Sequence, residues 1–140
     1  MRPVDRLVAV DASLTDTWQT LIDAESWPEW APHIRNVEVS PPGKVDRNTS
    51  ATIRFTSGRS MHVVVTEFRA GRSFRWTGRF LGATVSYDHV ATAAGEGSEI
   101  LVLMEVTGPT APLVSRWLGR AYNKQLDDAV PRLREHLLRR

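Results

Sequence analysis

The sequence predicts an α+β domain in which a curved antiparallel sheet of about six to seven strands wraps around one long C-terminal helix, with two short helices after the first strand. Three observations carry that expectation. Runs of alternating or apolar β-type residues recur between residues 4 and 106, most of them joined by short turns, as antiparallel neighbours require. Residues 114 to 137 carry a broad apolar stripe at helical spacing. After the first strand lies SWPEWAPHI (26–34), where two indoles sit three residues apart and each is followed within two residues by a proline. A segment so punctuated cannot form a long helix.

The first run, VDRLVAVDA (4–12), has strand character through Val4, Leu7, Val8 and Val10. Ser13 is placed to cap a helix, its hydroxyl accepting from a free backbone N–H, and Asp16 occupies the capping-box position. Leu14, Trp18, Leu21 and Ile22 follow at helical spacing, which predicts a short amphipathic helix over 14–24. Pro28 and Pro32 bracket a second short helical piece that carries Trp27 and Trp30.

Strands follow. IRNVEV (34–39) ends at the breaker Pro41-Pro42-Gly43. SATIRFT (50–56) and SMHVVVTEF (60–68) flank Ser57-Gly58-Arg59, a hairpin signal, and RSFRWTG (72–78) follows Ala70-Gly71. ATVSYDHVATA (83–93) and SEILVLMEV (98–106) flank the turn AGEG (94–97). Alternation then sets the faces. Ile53, Phe55, Met61, Val63, Val65, Phe74 and Trp76 point inward, leaving Arg54 and Arg75 in water, while Val85, Tyr87 and His89 share one face of their strand.

Pro109 and Pro112 mark the start of the final helix, with Thr110 as its cap. Val114, Leu118, Ala121, Leu126, Ala129, Val130, Leu133 and Leu137 form its apolar stripe. Pro131 lies inside that stripe and removes one backbone donor, so a kink or interruption is expected there.

Composition narrows the function classes. The 140 residues suit a single domain, 1–140, large enough to bury a core without staples. Cysteine is absent, which removes disulfides, thiolate metal sites and a cysteine nucleophile. With no secretory signal visible at the start and no apolar run long enough to cross a bilayer, a cytoplasmic protein without an integral membrane segment is expected. The formal charge is only +2, and sixteen of the eighteen basic residues are arginine. Arginines at 47, 54, 59, 69, 72, 75 and 79 make the outer sheet basic, but no aromatic residues interleave them on that face, so no nucleic-acid partner is expected. GEG (95–97) precedes a strand and lacks a third glycine, so it is no dinucleotide loop. His33, His62, His89 and His136 lack metal-ligand spacing. Neither cofactor nor metal is therefore expected.

The element order, with DASLTDTW (11–18), WPEWAP (27–32), VTEFRAGRSFRW (65–76) and HVATAAGEGSEI (89–100), resembles the START-like or Bet v 1-like (SRPBCC) superfamily, in its bacterial polyketide cyclase/dehydrase-like branch. The resemblance covers nearly the whole chain, departing where Ser13 replaces a common proline and Ser98 a common threonine. It implies the helix-grip fold, in which the two short helices close one end of a cavity beneath the long helix. SWPEWAPHI would be that plug, its indoles supplying large apolar area in few residues.

The inward aromatics with polar edges are Trp30, Trp76, Tyr87 and His89, and Phe55, Phe80, Leu118 and Tyr122 complete a candidate ligand-binding lining. Trp27 and Trp30 pack the helix junction in one reading; in the other Trp30 also walls the pocket. His89 is the candidate proton carrier and Tyr87 the candidate carbonyl orienter, against the alternative of a buried, hydrogen-bonded histidine beside a space-filling tyrosine. Three functions fit. A binding protein would hold a small hydrophobic molecule of polyketide, lipid or isoprenoid type. A cyclase, aromatase or dehydratase would act on a poly-carbonyl chain in the same cavity. An interaction module with a closed cavity would act through its surface. Either a monomer or a homodimer is compatible with all three.

Overall fold

The computed structural model describes residues 1–139. Seven strands run β1 (Val4–Val10), β2 (Ile34–Ser40), β3 (Ser50–Phe55), β4 (Ser60–Arg69), β5 (Ser73–Phe80), β6 (Ala83–Ala94) and β7 (Gly97–Thr107). They form one sheet in the order β1-β7-β6-β5-β4-β3-β2, antiparallel throughout. Between β1 and β2 lie α1 (Leu14–Ile22) and a 3₁₀ segment, Ala24–Glu29, and the chain closes with α2 (Ala111–Leu138). This is the helix-grip arrangement.

The alternation holds along the strands. Ile53, Met61, Val63, Val65, Phe74, Trp76, Val85 and His89 are buried on the inner face. On the outer face Arg54 pairs with Glu38, and Arg75 grips Asp88 through Nε–Oδ1 at 2.7 Å and a second nitrogen to Oδ2 at 3.0 Å. Two bulges reset the phase: the register slips between Ile34 and Asn36 on β2 and between Val65 and Glu67 on β4. Residues three apart, Ile34 with Val37 and Val65 with Phe68, therefore face the same way. Bulges bend a strand and increase its twist, which curves the sheet toward the helix.

Ser13 caps α1 as expected, its hydroxyl accepting from Asp16 N–H at 3.1 Å. The second helical piece begins earlier than its prolines suggest. Pro28 lies inside the 3₁₀ segment and Trp30 follows its end. Thr110 stands at the start of α2, but its hydroxyl donates to the Leu81 carbonyl (2.7 Å) instead of capping the helix. Pro131 does not interrupt α2, contrary to the sequence expectation. Both Pro131 and Asp127, whose carbonyl loses its donor, lie on the solvent side, where water can replace the bond. Ala129, Leu133 and Leu137 meanwhile hold both sides of the proline against the core.

Gly119 lets the residue just before β1 lie close to α2: a Cβ there would come within 2.6 Å of Pro3 Cβ. Beneath α1, Thr17 and Ser98 hydroxyls meet at 2.7 Å, and Ser98 donates to the Ala12 carbonyl at 2.9 Å. That buried polar chain ties the start of α1 to β7.

Candidate functional site

Helix α2 packs against β1, β6 and β7, which leaves the β3–β5 side of the concave face uncovered by helix. A cavity of about 280 Å³ occupies that space. Its floor is the inner face of the sheet, with Ile53, Phe55, Met61, Trp76, Phe80, Tyr87, His89 and Met104. Its roof is α2, through Trp117, Leu118, Ala121, Tyr122 and Gln125, and Trp27, His33 and Ile34 close the end beside the 3₁₀ segment. Most of this lining is hydrocarbon or aromatic, with few polar atoms, the composition of small-molecule sites.

His89 is only 5% exposed. Its ring stacks on Phe74 with centroids 4.5 Å apart and meets Trp27 and Trp76 at 5.5 and 5.8 Å. Burial pulls its pKa down to about 4, against the opposing pull of the Asp88 carboxylate and the Phe74 backbone. The ring is thus neutral near pH 7, and its Nδ1 is buried with no hydrogen-bond partner among the described residues. His33 repeats the pattern from the loop before β2. Its ring lies parallel to Phe55, burial lowers its pKa to about 4 with Asp128 opposing, and its buried Nδ1 also lacks a partner among those residues. Two neutral imidazoles therefore stand in the cavity wall, with their Nδ1 atoms shielded from its open space.

Tyr87 and Tyr122 meet edge to face at 5.5 Å, one from β6 and one from α2. Burial raises both phenol pKa values, so both hydroxyls remain protonated donors. The Tyr87 hydroxyl donates to Met61 Sδ at 3.5 Å, a weak acceptor that a ligand carbonyl would outcompete. Chemically, the wall offers hydrogen bonds from fixed neutral groups but no charged group at neutral pH among its histidines and tyrosines. Among the described residues no group of three or more His, Cys, Asp or Glu is placed to hold a metal ion.

A smaller cavity of about 70 Å³ adjoins the first, sharing Trp27, His33, Ile34, His89 and Tyr122 as wall. Trp30 lines this smaller space, with its indole N–H buried and unpartnered among the described residues. At the opposite end Ser57 and Arg59, on the β3–β4 turn, and Ser60, the first residue of β4, face Trp117 and form the mouth. The Arg59 guanidinium lies 4.4 Å from the Trp117 ring centroid, and Phe80 meets the same ring at 5.5 Å.

Of the residues singled out from sequence, Phe55, Trp76, Phe80, Tyr87, His89, Leu118 and Tyr122 come together around the larger cavity. Trp30 does not join them. Trp27, His33 and Trp117 were not in that set. The indole N–H of Trp27 donates to the Leu21 carbonyl (3.1 Å), which turns the ring toward Trp76 and His89. Ile53 and Met61 could have been included from strand alternation alone.

The sequence profile of the family described as polyketide cyclase / dehydrase and lipid transport matches residues 1–134. The chain belongs to this family. Solved structures agree in fold. A START superfamily protein from Mycobacterium smegmatis superposes with a TM-score of 0.71 at 16% identity, covering 97% of each chain. The protein titled Ara h 8.0201 gives 0.71 at 14% identity, covering 98% of this chain and 97% of its own. The di-domain ARO/CYC BexL from the BE-7585A biosynthetic pathway gives 0.74 at 16% identity, covering 96% of this chain but 49% of its own. No curated protein matches the sequence. At these identities the likeness establishes the Bet v 1-like fold, and what this polyketide cyclase / dehydrase family member binds must come from its own cavity.

Proposed function

We propose that the protein binds a small hydrophobic ligand of polyketide, lipid or isoprenoid type between the sheet and α2. The observation that carries this reading is the cavity of about 280 Å³, apolar in most of its lining, with the neutral rings of His33 and His89 and the Tyr87 and Tyr122 phenols in its wall. An apolar body would gain from leaving water, and a carbonyl on it would accept from the Tyr87 hydroxyl in place of the Met61 sulfur. The volume lies near the small end of ligand sites, which run from about 300 Å³ upward.

The family description and the two tyrosine hydroxyls support a second reading, a cyclase, aromatase or dehydratase in which Tyr87 polarises a ligand carbonyl and His89 moves the proton. Against it stands the low proton affinity of His89: a general base works best with a pKa near the working pH.

Native mass spectrometry of the purified protein tests for a co-purifying ligand, and fluorescence titration measures affinity, since Trp27, Trp76 and Trp117 all line the cavity. Binding is expected to shift tryptophan emission, and His89→Ala to weaken it by about 0.5–1.5 kcal/mol, one hydrogen bond's worth. If His89→Ala instead slows turnover of a poly-carbonyl substrate by about 10²–10⁴-fold with affinity nearly unchanged, the enzyme reading replaces the binding one. No response to any apolar aromatic probe would reject both.

A further inference from the structure

The cavity mouth is surrounded by apolar side chains that nothing in the fold requires to be exposed. Leu81 forms the tip of the β5–β6 hairpin and is 66% exposed. Leu81 and Gly82 both have positive φ, 48° and 84°. A two-residue hairpin turn of this form favours asparagine or glycine at its first position, so leucine is there against the local backbone preference. The tip is anchored to the start of α2 by the Thr110 hydroxyl on the Leu81 carbonyl. One turn further along α2 stands Leu113, 74% exposed, and another turn on stands Trp117, 45% exposed and in contact with Phe80 and Arg59. Three large apolar groups thus project from two adjoining elements, and one of them, Trp117, lines the cavity. Apolar surface gathered in this way marks an interaction site more often than scattered exposed residues do.

The charge around them is one-sided. Residues 47–66, 68–87 and 106–126, which supply the two turns and the first half of α2, contain no aspartate or glutamate. The same segments carry exposed Arg59 in the cavity lining, Arg79 next to the β5–β6 tip, and Arg116 and Arg120 within one turn of Leu113 and Trp117 on α2. Elsewhere the acids balance the arginines: on the outer sheet face Arg75 lies among Asp88, Glu67 and Glu105. A +2 chain therefore carries a locally cationic rim.

We infer that this rim docks on an anionic lipid surface, with Leu81, Leu113 and Trp117 entering the interface and Arg59, Arg79, Arg116 and Arg120 meeting the headgroups. An indole beside protruding leucines, flanked by cations, is the composition that settles at the boundary between headgroups and acyl chains. The geometry holds the cavity mouth against the bilayer, so an apolar ligand passes between membrane and protein without crossing water. An acidic protein is the competing partner for such a face, and the measurement below separates the two.

The experiment is flotation of the purified protein with vesicles of phosphatidylcholine alone or mixed with phosphatidylserine, at low and high salt. Binding is expected to the mixed vesicles only, and to weaken several-fold as salt screens the headgroup charge. The Leu81→Asp/Leu113→Asp double variant should bind the mixed vesicles at least about tenfold more weakly, because two apolar anchors are lost and two negative charges gained. Val64→Asp, at an exposed position on the outer sheet face, controls for added charge and should bind as wild type does. Thermal melts confirm that each variant folds. Equal binding by the double variant and wild type overturns the inference. So does a wild type that ignores mixed vesicles, which would leave the rim to an acidic protein. Either failure leaves ligand binding in the cavity untouched, since the fluorescence titration decides that separately.

Discussion

Replacing Trp27 by alanine lowers the stability of the fold by about 3–5 kcal/mol and joins its two cavities into one. Trp27 is the shared wall: its ring contacts Trp30, Trp76 and His89 at centroid distances of 5.9, 5.2 and 5.5 Å and lines both spaces. Truncation removes these contacts together with the hydrogen bond to the Leu21 carbonyl. The 3₁₀ segment packs against β2 and α1, so collapse into the space is limited. Urea unfolding measures the loss, and the fluorescence of Trp76 and Trp117 reports whether the merged cavity accepts longer apolar probes than wild type does. A loss below about 1 kcal/mol would show that the ring fills space loosely and that the two cavities are not held apart by it.

Acid should unfold the protein before its carboxylates are exhausted. In the unfolded chain His89 protonates near the ordinary histidine value of about 6.5. In the fold, burial holds it neutral down to about pH 4. Between those values the unfolded state binds a proton that the folded state refuses, so stability falls as pH drops through this window and is fully present above it. The depression amounts to roughly 3 kcal/mol for His89. His33 acts in the same direction in the same window. Denaturant midpoints measured from pH 7 to pH 4 should fall in wild type and fall less steeply in His89→Gln, which keeps a polar side chain without the titration. Equal slopes in the two proteins would mean that His89 is charged or solvated in the fold.

What could be read from the sequence followed the strands. Period-two alternation assigns a face to every residue between bulges, so Phe55, Trp76, Tyr87 and His89 were legible as inward without any knowledge of their neighbours. The outward Arg54 and Arg75 were legible for the same reason. The tryptophan pair was harder. A helical piece bracketed by Pro28 and Pro32 would centre on Trp30, but the chain admits Pro28 into a tighter 3₁₀ turn, and Trp27 takes the place next to His89. Trp117 lies off the apolar stripe of α2, and what gives it a role is its meeting with Arg59 and Phe80, from two turns distant in sequence. The interruption expected at Pro131 does not occur, because the carbonyl that loses its donor faces water and the apolar residues on either side hold the helix to the core.

The pairing of β1 with β7 also sets an order of assembly. Strands β2 to β6 each hydrogen-bond the next strand in the chain, so that part of the sheet can form hairpin by hairpin with short loops to close. The seam between β1 and β7 joins Val4 to Met104, a hundred residues apart. Until it closes, β7 presents an unpaired edge that contains Ile100, Val102, Met104 and Val106, the kind of surface on which chains aggregate. The first strand is thus expected to be seated last, with α1 and the 3₁₀ segment linking it across to β2 at the other edge of the sheet. Pulse-labelled hydrogen exchange during refolding should find the β1–β7 amides protected after those of β4–β5, and the reverse order would show that the seam nucleates the fold. A growing chain, which makes β1 first and β7 nearly last, has to keep its opening strand waiting through almost the whole of synthesis.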